Sequence, residues 1–254
     1  MLKKKKYEIK FFLDIHRVLN EKYCLSQELI DEFDINIKDI DEKDIQFIDT
    51  NKREMYKNGW ILRNRIKREG NTYELTYKKR YKILNDDIES QVEKAKKDGF
   101  DTAEQEFSVE IDWGYTEKVL NIVYKPDDFQ LPTPKSSSIE MLQELFLNNG
   151  PEIFLKWGTD LIEQTILYGP AYSQKYTGNF KGRELFIEIW SMPQCKEPIL
   201  EISLDKFKDE EKENANQYHE ELKKLLSIKE WIVMRDISKT DWVMNKCKES
   251  EKNL

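Results

Sequence analysis

The sequence is poor in the residues that mark the common catalytic and nucleotide-binding plans. It has two histidines, His16 and His219, with no motif around either. A zinc site or a Ser-His-Asp triad would have to rest on an isolated imidazole, and both read as ordinary surface or helix residues. The three cysteines, Cys24, Cys195 and Cys247, match no metal-ligand spacing and read as reduced thiols of a cytosolic protein. Nine glycines are too few for a Rossmann unit, and neither GxGxxG nor GxxxxGK[ST] occurs. GNFKGRE (178–184) lacks the phosphate-loop lysine and hydroxyl and reads as a turn. No apolar run approaches a membrane span, and no signal-peptide core follows the basic opening MLKKKKYEIKFFLD. The expectation is a soluble, cytoplasmic protein without a membrane partner.

Charge, by contrast, is plentiful. Charged residues make up 36% of the 254 and apolar residues 39%, so a core is within reach but the polar surface is unusually large. The net charge of −7 argues against a binder of duplex nucleic acid. It does not argue against a focused basic site, because local potential governs a small ligand.

The charges follow strand periodicity. In GWILRNRIKREGNTYELTYKKR (59–80), Ile61, Arg63, Arg65 and Lys67 share one face of a hairpin. Glu74, Thr76, Lys78 and Arg80 share the matching face of its second strand, after a turn at Glu69, Gly70 and Asn71. In KYEIKFFLD (6–14), Lys6, Glu8 and Lys10 oppose Tyr7, Ile9, Phe11 and Leu13. EQEFSVEIDW (104–113) places Glu104, Glu106, Ser108, Glu110 and Asp112 together. RELFIEIWSM and PILEISLDKF are acidic on one face, through Glu184 and Glu188 and through Glu201 and Asp205. Lys175 shares a face with Ser173 and Thr177 in TILYGPAYSQKYT, and DIQFIDT (44–50) adds a short strand.

Helices are expected over 86–100, over SIEMLQELFLNN behind a Ser137–Glu140 capping box, from Pro151 onward, and over KDEEKENANQYHEELKKLL. About eight strands thus carry one apolar and one charged face. Two architectures produce that pattern. An open sheet with helices on its apolar side leaves the charges in water. A closed barrel turns the charged faces inward around a small ligand, where cations grip phosphate oxygens and carboxylates hold hard metal ions.

FIDTNKREMYKNGWILRNRIKREGNTYELTYKK resembles the central signature of the CYTH superfamily, the triphosphate tunnel metalloenzymes. The matching pieces are Asp49-Thr50, Gly59, Leu62-Arg63-Asn64-Arg65 and Leu75-Thr76-Tyr77-Lys78. KYEIKF resembles the family's ExExK strand, EQEFSVEID its acidic middle strand, and ILEISLD its late EIE-type strand. The resemblance implies an α+β fold: an eight-stranded antiparallel closed barrel with a charged interior, flanked by helices. It would form one domain over residues 1–254, with a helical insertion around 115–165 and a helical region over 207–254. The resemblance also implies phosphate binding by Lys10, Arg63, Arg65, Lys78, Lys175 and Arg183. Mg²⁺ or Mn²⁺ would sit on Glu8, Glu106, Glu188 and Glu201, with Glu104 and Glu110 as alternates, and Glu106 and Glu201 would position the attacking water.

The implied function is metal-dependent hydrolysis of a small triphosphate, such as tripolyphosphate, thiamine triphosphate or a nucleoside triphosphate. Three departures bear on it. Lys6 stands at the first glutamate of ExExK, Ser203 at the second acid of the late motif, and Thr102 where an arginine commonly precedes the middle strand. They motivate an alternative, a non-catalytic polyphosphate or nucleotide sensor that reports to a partner protein through the 115–165 insertion. A class IV-type adenylyl cyclase is a further alternative.

Overall fold

A computed structural model of the chain describes residues 2, 4–68, 72–101, 106–130 and 138–251. Among the described residues nine strands carry the architecture. They are β1 (Lys5–Leu13), β2 (Asn36–Thr50), β3 (Trp60–Lys67), β4 (Thr72–Ile83), β5 (Ser108–Trp113), β6 (Lys118–Tyr124), β7 (Thr165–Phe180), β8 (Arg183–Ser191) and β9 (Ile199–Leu204). Two further strands, Phe129–Gln130 and Phe207–Lys208, are two residues long and attach to β4 and β1. The nine are hydrogen-bonded in the order β1-β9-β8-β7-β2-β3-β4-β6-β5, and β5 returns to β1. The sheet is therefore a closed barrel, not an open layer.

Two features of the expected barrel need correction. It has nine strands instead of eight, because the stretch 115–165 supplies β6 as well as helices. It is also mixed: β1 and β5 run parallel, whereas every other neighbour in the ring is antiparallel. The second follows from the first. Strand directions cannot alternate all the way round a ring with an odd number of members, so at least one pair must be parallel.

Among the described residues eight α-helices surround the ring: α1 (Ile15–Val18), α2 (Gln27–Phe33), α3 (Glu54–Lys57), α4 (Ile88–Ala95), α5 (Ile139–Asn148), α6 (Glu152–Ile162), α7 (Lys212–Ile228) and α8 (Lys239–Glu251). At α1, α2, α4 and α5 a capping side chain satisfies a free N–H group of the first turn. Asp87 caps α4 by accepting from Ser90 N–H. Ser138, one position beyond the expected Ser137, caps α5 by accepting from Met141 N–H; Ser137 lies outside the described residues. The turn at 69–71, Thr102 and Glu104 lie outside them too.

The main core sits between barrel and helices. Outward residues such as Ile9, Leu62, Leu75, Ile111, Ile187 and Ile202 pack in one cluster with Phe33, Val92, Phe146, Phe154 and Leu222 of the helices. Their burial supplies the hydrophobic driving force, roughly 1.5–3 kcal/mol per large side chain. A second cluster lies at one end of the barrel, where Val243 and Met244 of α8 meet Phe47, Ile61 and Trp190. This apolar packing adjoins the charged stretch of the interior. Among the described residues no helix is long and apolar enough to cross a membrane.

The motif residues Asp49-Thr50 and Gly59 are structural. The Asp49 carboxylate accepts from the N–H groups of Thr50, Met55 and Tyr56, and so builds the turn into α3. Gly59 has φ +78, and a Cβ there would lie 2.7 Å from the Arg80 carbonyl oxygen. Gly59→Ala is expected to lower stability by about 1–3 kcal/mol through backbone strain and this overlap; urea unfolding reads the effect directly.

Candidate functional site

The barrel interior holds a cavity of about 730 Å³. Strand parity puts Glu8 and Lys10 of β1, Arg63 and Arg65 of β3, Lys78 and Arg80 of β4, Glu110 and Asp112 of β5, Lys175 of β7, Glu188 of β8, and Glu201 and Ser203 of β9 on its wall. Of the expected phosphate ligands, Lys10, Arg63, Arg65, Lys78 and Lys175 come together here.

Arg183 does not. It shares the outward parity of Leu185 and Ile187, pairs with Glu211 at 3.2 Å, and donates to the carbonyls of Asp205 and Lys206. Its guanidinium lies 3.5 Å from the centre of the Phe207 ring, which makes it a structural clamp on the following turn. Glu106 is also displaced. It lies ahead of β5, exposed, and does not line the cavity. The inward acids of that strand are Glu110 and Asp112, four and six residues further on. Lys6 is exposed, outside the cavity lining.

The lining divides into compensated and uncompensated groups. Lys10 and Asp112 pair at 2.6 Å; burial opposes both charges, but their mutual attraction prevails, raising the lysine's pKa and lowering the carboxyl's. Glu110 holds Lys206 at 2.5 Å. Glu74 takes Arg65 and Lys125, each at 3.3 Å; burial would raise its pKa, but Arg65 and Lys125 bring it down to about 2.

On the other side stand cations with no such close partner. Among the described residues Arg63 has no carboxylate within 4.0 Å; its Nη2 donates to Thr76 Oγ1, and its buried Nε has no acceptor. Burial, and then the neighbouring Arg65, lower its pKa to about 9. Burial likewise pushes Lys78 down to about 8, and its nearest carboxylate oxygen, on Glu110, is 4.0 Å away. Lys175 sits 3.4 Å from the centre of the Phe186 ring, and burial is the first cause of its lowered pKa. Buried cationic groups short of acceptors are costly unless an anion completes them.

The acidic side contains a residue that strand alternation does not predict. Glu188 and Glu201 are directly opposite each other in the β8–β9 ladder. Lys239, the first residue of α8, donates to both carboxylates, with Glu201 Oε1 at 2.8 Å. Its only sequence signal is the helix-start pattern Ser238-Lys-Thr-Asp241 in the tail. The Ser238 hydroxyl accepts from Asp241 N–H, as that pattern requires.

The implied metal set is not assembled. Among the described residues no three His, Cys, Asp or Glu side chains form a group able to hold a metal ion. Glu188 and Glu201 already share an ammonium, Glu106 lies outside the cavity, and Ser203 supplies a hydroxyl where the motif has a carboxylate. These donors, as arranged, do not fit a divalent ion.

No family model matches the chain, and no curated protein matches it in sequence. Solved structures do resemble it. A candidate adenylate cyclase from Bacillus halodurans aligns with a TM-score of 0.51 at 13% identity, over 94% of this chain and 95% of that one. A candidate adenylyl cyclase from Hippeastrum, described as having a dominant triphosphatase activity, aligns at 0.48 and 13% over 92% of each chain. A conserved hypothetical protein from Pyrococcus furiosus aligns at 0.43 and 14%, over 91% of this chain and 96% of that one. The Bacillus halodurans alignment shows a fold shared over nearly the full length of both chains.

Proposed function

We propose that the tunnel binds a triphosphate-containing small molecule and acts on it as a phosphohydrolase. The observation that carries this reading is the uncompensated cationic wall. Arg63 has a buried, acceptor-free Nε beside Arg65 and Lys78, inside a cavity large enough for a phosphate chain. Phosphate oxygens would supply the missing acceptors through charge-assisted hydrogen bonds. The Bacillus halodurans neighbour's description as a candidate adenylate cyclase agrees with a substrate of that class.

Phosphoryl transfer asks the protein for little covalent chemistry and a great deal of positioning. Arg63, Arg65, Lys78 and Lys175 would hold the chain and offset charge on the group being transferred. Among the described residues Glu8 lines the cavity with no cation within 4.0 Å, so its oxygens would be placed to orient a water. A second reading, binding without turnover, is favoured by Lys239, which occupies Glu188 and Glu201.

Incubation with tripolyphosphate, thiamine triphosphate and ATP separates these readings. Release of phosphate, lost in Arg63→Met, supports hydrolysis; pyrophosphate together with a cyclic nucleotide indicates cyclisation. A thermal shift without any product leaves a receptor. No shift and no product with all three ligands ends the proposal.

The tunnel also predicts a pH dependence. In the free protein Lys78 is charged below about pH 8 and loses its proton as the pH rises through that value. A bound phosphate favours the charged form, so binding above about pH 8 must take up a proton. Affinity should then fall by up to about tenfold per pH unit. Calorimetry of tripolyphosphate binding in buffers of different ionisation heat checks the uptake, and Lys78→Arg should flatten the profile.

A further inference from the structure

Opposed carboxylates on adjacent strands repel, and in a buried site both remain ionised only if a cation lies between them. Glu188 and Glu201 are an opposed pair with side-chain exposures of 14% and 6%; burial raises the pKa of Glu201, whereas Lys239 and then Arg65 outweigh burial at Glu188 and hold it below the usual carboxylate range. The cation is the Lys239 ammonium, which donates to both. The Ser173 hydroxyl donates to Glu188 at 2.5 Å, and the Trp190 ring centre lies 4.8 Å from the ammonium.

The lysine is held in place by the chain around it. The Asp236 carboxylate accepts from the backbone N–H groups of Tyr115, Thr116 and Glu117 and from the Thr116 hydroxyl, which pins the approach to α8 onto the β5–β6 turn. Gly114 makes that approach possible, because a Cβ there would overlap the Asp236 carboxylate. Just before Lys239 the Tyr56 hydroxyl donates to Ser238 Oγ at 3.2 Å, and just beyond it Asp241 pairs with Arg53 at 3.1 Å. These ties fix both sides of the lysine, so its insertion between the acids is built into the fold and is not a chance surface contact.

We propose that Lys239 is a resident cation standing where a divalent metal would otherwise bind between Glu188 and Glu201, so that the tunnel neutralises its acids without metal. Two consequences follow. The native protein has no need of Mg²⁺ or Mn²⁺ to bind phosphate chains, and removal of the ammonium leaves two adjacent carboxylates with the affinity for hard cations that such a pair has. Only the first consequence rests on the tunnel being a phosphate site.

Mn²⁺ titration followed by electron paramagnetic resonance tests the second consequence without any phosphate ligand. The wild type should leave Mn²⁺ free, whereas Lys239→Ala and Lys239→Gln should bind one ion per chain at least about tenfold more tightly. Mn²⁺ should also raise the melting temperature of both variants and not that of the wild type. Adding Glu188→Gln and Glu201→Gln to either variant should abolish the gained site. Wild-type protein that binds Mn²⁺ and loses it in Glu201→Gln would overturn the proposal, as would folded variants that bind no better than wild type.

If neither variant folds even with Mn²⁺ present, the wild-type titration decides. Mn²⁺ left free, with tripolyphosphate binding unchanged by chelator, supports the resident lysine. Stoichiometric Mn²⁺ binding in the tunnel rejects it. Failure of tripolyphosphate to bind under any condition counts against the phosphate reading alone, because the Mn²⁺ result does not depend on it.

Discussion

Arg63→Met is expected to weaken tripolyphosphate binding by about 30-fold or more while making the ligand-free protein more stable. Truncating one member of a buried, hydrogen-bonded charge pair costs about 2–5 kcal/mol of binding, and about 1.4 kcal/mol is a factor of ten. The gain in stability has the opposite physical origin. In the empty tunnel the guanidinium Nε is buried without an acceptor, and burial together with Arg65 already lowers the group's pKa to about 9. An apolar side chain of similar length removes that penalty. Calorimetry and thermal melting on the same preparation read both effects. An Arg63 variant that melts lower and binds as before would show the arginine to be a structural brace, and the phosphate assignment would lose its main support.

Asp112→Ala should be among the most damaging single changes to folding, at about 3–5 kcal/mol, because it strands Lys10 in the barrel wall. The two are 2.6 Å apart with exposures of 23% and 9%, and Lys78 and Arg80 add to the positive field around the carboxylate. Replacing both partners, Lys10→Met with Asp112→Ala, should recover part of the loss, and a double-mutant cycle in urea measures how much.

The sign of the pH effect is also determined. Burial alone would raise the Asp112 pKa, but Lys10 and then Lys78 hold it well below the usual carboxylate range. Its contribution is therefore complete above about pH 4 and disappears as the pH falls through the depressed value. Glu74, lowered to about 2, acts in the same direction. Acid unfolding should set in below about pH 4, and Asp112→Ala should show a shallower loss over that window.

Much of this site was legible because a strand's two faces are distinguished by simple alternation. Arg63 and Arg65, Lys78, Glu8 and Lys10, Glu188 and Glu201 all face the cavity that their parity assigns them. The same parity places Arg183 outward with Leu185 and Ile187. The phosphate role that the resemblance implies for Arg183 therefore conflicts with its own strand parity. Alternation says which face a residue takes but not how far along the strand the cavity extends. That is why Glu106 gave way to Glu110 and Asp112.

Strand β6 was hidden for a different reason. VLNIVY (119–124) has no alternating charge, although Val119 and Val123 line the cavity while Leu120 and Ile122 join the outer core. Lys239 was beyond any local pattern. Its role exists only because a helix from the end of the chain reaches strands that lie about forty and fifty residues earlier, and no periodicity encodes a contact of that kind.

The odd ring has a consequence for biosynthesis. Its first strand, β1, must find a parallel neighbour in β5 and an antiparallel one in β9, so closure waits until residues 199–204 have left the ribosome. Until then the nascent sheet has two raw edges, and pairings between such distant segments form slowly. The ionic face that will become the lining is meanwhile tolerated by water and discourages edge-to-edge association with other chains. Charges that later serve a ligand thus first act as a guard during the slow wait for the last stave.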